Sequence, residues 1–227
     1  MNLSKPQVGS LTAALRAEAL IRYADGERIK RNGVPASTFL QLYAGQPPWE
    51  IGRPQPVVVD LEREGQFQGA VLDVGCGRGE NAFFLASRGH TVCAIDFVEE
   101  VVIEARLESE RRGLAVDFSV MDATDLDQVG WTFDTVLDSA TFHTFSRHQR
   151  LRYVAALREI TRPGARMHLV CLGDRETRPG GPPRITRDEI REAFAVGWTV
   201  TDIKEQPYTA ANFPGGARSW AANITRV

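Results

Sequence analysis

The sequence is poor in cysteine, in net charge and in long apolar runs, and each shortage closes off a class of protein. Its three cysteines, Cys76, Cys93 and Cys171, are too few and too scattered for a disulfide framework or a zinc site. An odd, sparse set fits a reducing compartment. Lysine and arginine number 27 against 29 aspartates and glutamates, a formal net charge of −2. No basic field exists to gather phosphates, so no nucleic-acid partner is expected. The arginines between Arg147 and Arg152 read as a solvated helix face. No apolar stretch reaches the roughly 18 residues of a membrane span. The opening residues, MNLSKPQVGSLTAALRAEALIRYADGERIKR, lack the apolar core of a signal peptide. The expectation is a cytoplasmic protein with no membrane partner, and no repeat or low-complexity tract interrupts it.

What is present is enough for one full core: 227 residues, 43% of them apolar. One domain over 1–227 is expected, with an N-terminal helical and lid segment over 1–66 and a ligand-binding core over 67–227. Leu11, Leu15 and Ala19, with the stem of Arg22, mark one face of an early helix, which NGVP at 32–35 breaks. An irregular stretch rich in aromatics, proline and glycine follows over 39–56. A helix is expected from Pro56 to Glu64. From Ala70 onward strands and helices alternate. Strands are expected at 70–75, 91–96, 115–120, 132–139, 165–172, 198–204 and 217–227. Helices fall between them at 80–89, 98–113, 146–164 and 186–196. Ser146 with Gln149, and Thr186 with Glu189, have capping-box spacing. Pro163-Gly164 is expected to end its helix. Such alternation implies an α/β fold: a Rossmann-like, doubly wound, mostly parallel sheet with helices on both faces. Ligands of such sheets sit beyond the carboxyl ends of the strands.

The segment VLDVGCGRGENAFFLASRGHTVCAIDF, Val71 to Phe97, is a strand, a glycine loop, a helix and a second strand ending in an acid. Gly75, Gly77 and Gly79 spell G-x-G-x-G, whereas a dinucleotide fingerprint needs its third glycine where Glu80 stands. A glutamate at that helix start would repel a pyrophosphate. Adenosyl-methionine has no phosphate, and its ammonium and sulfonium are cations. Asp73 and Glu80 suit that charge, although Asp73 suits equally well the role of tying down the loop's own N–H groups. Asp96 ends the second strand, where a carboxylate can accept both ribose hydroxyls, and Phe97 can lie against the adenine. Asp122 ends the third strand with Ala123 beside it, placed for the adenine amino group and ring. Asp125 and Asp127 nearby read as helix caps. Asp138 ends the fourth strand, near the reacting group.

The glycine loop with acids on three further strand ends resembles the class I S-adenosyl-L-methionine-dependent methyltransferases, over about Ala70 to Val227. That resemblance implies an antiparallel last strand. YAGQPPWEIGRPQP, Tyr43 to Pro56, resembles the PW(D/E)xGxPxP stretch of the thiopurine and thiol/halide small-molecule methyltransferases. GGPPRIT at 180–186 resembles that group's segment before its late helix, and the similarity extends to bacterial enzymes that methylate heterocyclic or quinol hydroxyls. Trp49 matches the tryptophan that closes over the cofactor there. An aromatic face beside a sulfonium gains roughly 0.5–2 kcal/mol, and packing of the N-terminal segment is its other role.

The resemblance implies methyl transfer from S-adenosyl-L-methionine to a small molecule, an aromatic or heterocyclic hydroxyl or a thiol. His143 in SATFHTF, just past the fourth strand, is the candidate general base for a hydroxyl; an ordinary loop histidine is the competing reading. His90 and His168 fall away from the ligand edge, and His148 reads as surface. Phe39, Tyr43, Phe142, Phe145, Tyr208 and Phe213 are candidate pocket walls. The alternatives are a thiol or halide enzyme needing no base, an NAD(P)-dependent oxidoreductase, and a non-catalytic adenosyl-methionine-binding module. No metal is expected.

Overall fold

The computed structural model describes residues 33–126 and 130–227. The expected early helix through Leu11, Leu15 and Ala19, and Asp127, lie outside them. Among the described residues two short helices come first, α1 (Ala36–Tyr43) and α2 (Pro56–Arg63), the second opened by proline at its first turn, where no backbone N–H is needed. Then β1 (Ala70–Val74), α3 (Glu80–Ser87), β2 (Thr91–Asp96), α4 (Glu99–Arg112) and β3 (Val116–Val120) alternate. They are followed by β4 (Phe133–Ser139), a 3-10 turn (Phe142–Thr144), α5 (Arg147–Glu159) and β5 (Thr161–Leu172). Next come α6 (Arg187–Ala193), β6 (Trp198–Ala210) and β7 (Phe213–Arg226). Both expected capping boxes form: Ser146 with Gln149, and Thr186 with Glu189.

The strands make one seven-stranded sheet in the order β3-β2-β1-β4-β5-β7-β6. β1 pairs in parallel with both β2 and β4, so the chain reverses its direction of progress there. β7 runs antiparallel between β5 and β6. Period-two alternation sorts the buried side chains onto two faces. Leu72, Val136, Met167 and Leu169 pack with Tyr153, Leu157 and Phe194. Val71, Ala94, Leu137 and Val170 pack with Phe83, Leu85 and Val102 on the other face.

Two expected boundaries are corrected. Pro163-Gly164 does not end a helix. α5 stops at Glu159, and both residues lie in the first turn of β5, where the register against β4 jumps from Phe133↔Thr161 to Thr135↔Arg166. The extra residues bulge out of the ladder, and there a proline costs no hydrogen bond. The last two strands are also longer than their apolar alternation suggests, because a tight hairpin at 211–212 carries both well past the sheet edge.

Candidate active site

The carboxyl ends of β1, β2, β3, β4 and β5 surround a cavity of about 750 Å3. That lies high in the roughly 300–1,000 Å3 range of ligand sites, with room for two ligands side by side. Its floor is the glycine loop and its roof is the segment 36–49; the far wall is the β6–β7 hairpin with Gly180, Gly181 and Pro182. A smaller recess of about 40 Å3 opens next to the loop, between Glu50, Arg53, Gly77, Asn81 and Tyr208.

The loop is shaped by what lies against it. Gly75, Gly77 and Gly79 all have positive φ, which glycine adopts without strain. A Cβ at Gly77 would come within 2.6 Å of Glu50 Oε1, and one at Gly79 within 2.8 Å of the Phe118 ring. A Cβ at Gly75 would strike Thr141 Oγ1, which itself donates to Val74 O at 2.9 Å. The turn after β4 thus packs directly on the turn after β1. Ala140 holds φ 80 there, a strained value for a residue with a side chain. It is fixed by its N–H on Val170 O (2.9 Å) and by Thr141 N–H on Asp138 Oδ1 (2.9 Å).

The predicted acids divide by depth. Asp96 lines the cavity and is nearly buried; its Oδ2 accepts from Gly77 N–H (3.0 Å) and its Oδ1 from Val98 N–H (3.0 Å). Phe97 and Asp122 also face the cavity, and Ala123 lies between Asp122 and the core. Asp122 accepts from Thr124 N–H and Oγ1 with one oxygen. Asp138 does not reach the cavity wall. Its alternate position on β4 turns it toward α5, where Tyr153 Oη donates at 3.0 Å and the N–H groups of Thr141 and Phe142 complete its shell. Asp73 likewise lies beneath the loop, accepting from Ala82 N–H at the start of α3, while its Oδ2 has no partner among the described residues. Glu80 is paired with Arg112.

These carboxylates give the floor its electrostatic character. Burial pushes Asp73 up to about 7, with the charges of Asp138 and Asp96 adding to it. Burial likewise pushes Asp138 up to about 6 and raises Asp96. Buried acids, one of them raised further by its two acidic neighbours, are relieved by a cation and penalised further by a phosphate. The donor set therefore fits the phosphate-free, cationic adenosyl ligand expected from the sequence. Among the described residues no cluster of His, Cys, Asp and Glu is arranged to hold a metal.

The roof is latched. Trp49 Nε1 donates to Tyr43 Oη at 3.1 Å, and its ring packs on Phe39 and Tyr43. Glu50 Oε1 accepts from Arg78 N–H (3.1 Å), and the Arg78 guanidinium reaches Tyr43 O (3.2 Å). Gln55 exchanges two hydrogen bonds with the Thr209 backbone of β6. Sequence reasoning missed Glu50, Gln55 and Arg78. The acid inside PWE and the arginine inside GCGRG are the only local signals for the first and third.

His143 lines the cavity from the 3-10 turn, and its Nδ1 accepts from Leu172 N–H at 2.9 Å. Burial, with Arg184 nearby, pushes it down to about 3. Phe39, Tyr43, Phe145, Tyr208 and Phe213 line the cavity as expected, but Phe142 does not: it is buried against Phe194. His168 is held by Asn223 and Gln66 in the core, His90 packs on Phe67, and His148 is exposed.

Residues 71–164 match the family model described as a methyltransferase domain. The chain is 35% identical over 164 residues to 2-heptyl-1-hydroxyquinolin-4(1H)-one methyltransferase of Mycobacteroides abscessus, spanning 70% of this chain and 72% of that one. A solved structure from work on the conversion of a disulfide bond into a thioacetal group during echinomycin biosynthesis superimposes with a TM-score of 0.77. It is 33% identical, and the match covers 84% of this chain and 91% of the other. The magnesium protoporphyrin IX methyltransferase of Synechocystis PCC 6803 with bound SAM shares the fold, with a TM-score of 0.59 at 22% identity over 75% and 76% of the two chains.

Proposed function

This chain belongs to the class I S-adenosyl-L-methionine-dependent methyltransferases, and from that premise we propose that it methylates a small aromatic or heterocyclic acceptor at a hydroxyl. The observation that carries the reading is the pairing of Asp96 and Asp122 on the wall, and of Asp73 buried beneath the loop, with a broad apolar cavity whose lining includes Phe39, Trp49 and Phe145. The floor suits the cationic donor and the apolar remainder suits a flat ring. The likeness to a hydroxyquinolinone methyltransferase supports the same choice.

When bound, S-adenosyl-L-methionine supplies an activated methyl group. The chain's own residues bind, orient and exclude water. We assign Asp96 and Phe97 to the ribose and adenine, Asp122 and Ala123 to the adenine edge, and Gly75, Gly77 and Gly79 to the close backbone approach. Asp73 lends charge from beneath the loop, next to the recess where an ammonium group would sit. Asp138 holds the turn that carries His143 rather than touching a ligand. Trp49 and the segment 36–50 keep solvent from the reacting centre, with residues 1–66 as lid and 67–227 as core. Orientation of two reactants supplies on the order of 7–11 kcal/mol.

A thiol acceptor is the second reading, favoured by the Nδ1 contact of His143 with Leu172, which leaves no lone pair turned toward the cavity. Radiolabelled S-adenosyl-L-methionine offered with hydroxyquinolinones, phenols, quinols, thiols and iodide separates the two. Label on hydroxyl oxygen supports the first reading, and label on thiols or iodide alone replaces it with the second. Calorimetric binding of NAD(P) without a response to S-adenosyl-L-methionine would remove both.

A further inference from the structure

We infer that His143 takes part in methyl transfer as a neutral hydrogen-bond donor through Nε2, and that the acceptor enters the reaction already ionised. The inference rests on the reading of the chain as a methyltransferase of small acceptors. It begins with one contact. A backbone N–H can only donate, so the 2.9 Å contact from Leu172 N–H requires a lone pair on His143 Nδ1. The single proton of the neutral ring is then on Nε2, which has no hydrogen-bond partner among the described residues while the ring forms part of the cavity wall.

Neither end of this arrangement is free to turn. Leu172 is the last residue of β5 and pairs with Ser219 of β7, with its carbonyl accepting from Ile185 N–H. The 3-10 turn is pinned by Asp138 through Thr141 and Phe142 and by Thr141 Oγ1 on Val74 O. To act as a base, Nε2 would need a lone pair, and the displaced proton on Nδ1 would then confront Leu172 N–H. The surrounding charges do not favour a second proton either. Arg184 in the loop before α6 acts against it, Arg150 of α5 is engaged by Glu189 of α6, and the Asp138 carboxylate is filled by its three donors.

A donor without a base selects its acceptor by acidity. The fitting class is an N-hydroxy heterocycle, an acidic phenol or a thiol, each an anion in appreciable fraction near neutrality. Its proton is lost to water before the transfer. The acceptor anion then forms the bond to the methyl carbon as the carbon–sulfur bond breaks, the electron pair remaining on sulfur, and no proton moves in that step. Nε2–H holds the anion or a neighbouring ring carbonyl in line.

The test measures kcat/KM against pH for N-hydroxy heterocycles and phenols whose own pKa values span about three units. The midpoint of the profile is expected to follow each acceptor's pKa. His143→Gln, which keeps a donor, is expected to stay within about tenfold of wild type. His143→Phe is expected to lose about ten- to a hundredfold, the scale of one hydrogen bond to a charged group, with the midpoint unmoved. One midpoint common to all acceptors and absent in His143→Gln would establish a base and overturn the inference. Long-range 15N–1H correlation of the histidine rings gives a readout without turnover. His143 is expected to show a protonated Nε2 and a bare Nδ1, and a protonated Nδ1 overturns the inference whatever the acceptor. If no acceptor in the series is methylated while Nε2–H is observed, it is the methyltransferase reading of the acceptor that fails, and the tautomer stands.

Discussion

Replacing Asp73 by asparagine should move the stability balance of the ligand-free protein toward the variant as pH rises. The carboxyl is 1% exposed, and its Oδ2 has no partner among the described residues. Burial, with Asp138 and Asp96 close by, raises it from 3.8 to about 7. A raised acid keeps its proton longer in the folded state than in the unfolded one. Its stability contribution is therefore complete below about pH 4 and is lost as pH climbs through about 7. Between pH 5 and pH 8 the folded carboxyl passes through its titration two units above the starting pH. At about 1.4 kcal/mol per unit, the wild type forfeits about 3 kcal/mol that an amide does not. Asparagine still accepts from Ala82 N–H, and its buried amide nitrogen costs roughly 1–3 kcal/mol at every pH. The readout is thus the change in the difference between the two proteins, not the difference itself. Urea unfolding of both at the two pH values, with equal m-values, supplies it. A difference that stays constant across that range would refute the buried, shared-charge account of the floor.

Asp96→Ala should weaken S-adenosyl-L-methionine binding by about 1–3 kcal/mol, because the Gly77 and Val98 N–H groups lose their acceptor together with any ribose contact; unchanged affinity in calorimetry would contradict this. Trp49→Ala should cost about 0.5–2 kcal/mol of the same affinity, with Trp49→Phe recovering most of it, since the ring face rather than the N–H is the invoked element. Ala140→Gly should raise stability by about 0.5–1 kcal/mol. Relief of the positive φ, roughly 1–2 kcal/mol, exceeds the added unfolded-state freedom of about 0.4–1 kcal/mol. A fall in Tm would show that the backbone there is not strained.

The strands were legible because buried parallel strands are short apolar runs that end at the ligand edge, and Asp96 and Asp122 do stand where those runs stop. Asp73 and Asp138 each stand one position before the last residue of their strands, and there alternation, not distance from the strand end, decides what a side chain meets. Each points into a helix packed on the sheet rather than into the cavity. The Pro163-Gly164 pair looked like a stop signal because its local chemistry is the same whether it closes a helix or opens a bulged strand, and only the β4 pairing distinguishes these. Gln55 acts on a partner 154 residues away, beyond the reach of any local pattern, and Glu50 on one 28 residues away, with only the acid of PWE to hint at it. The histidine was found from its place after β4, yet its protonation state is written by a backbone amide 29 residues further along the chain.

The meshing of Thr141 with Gly75 makes two distant stretches of the gene a single inherited unit. Any side chain at 75 would have to take up a φ of 65 and would strike Thr141, and a smaller residue at 141 gives up the hold on Val74 that keeps the histidine turn in register. Laboratory evolution aimed at new acceptors would therefore stall if it diversified either position, and libraries for this scaffold should hold the pair fixed and vary the rest of the wall.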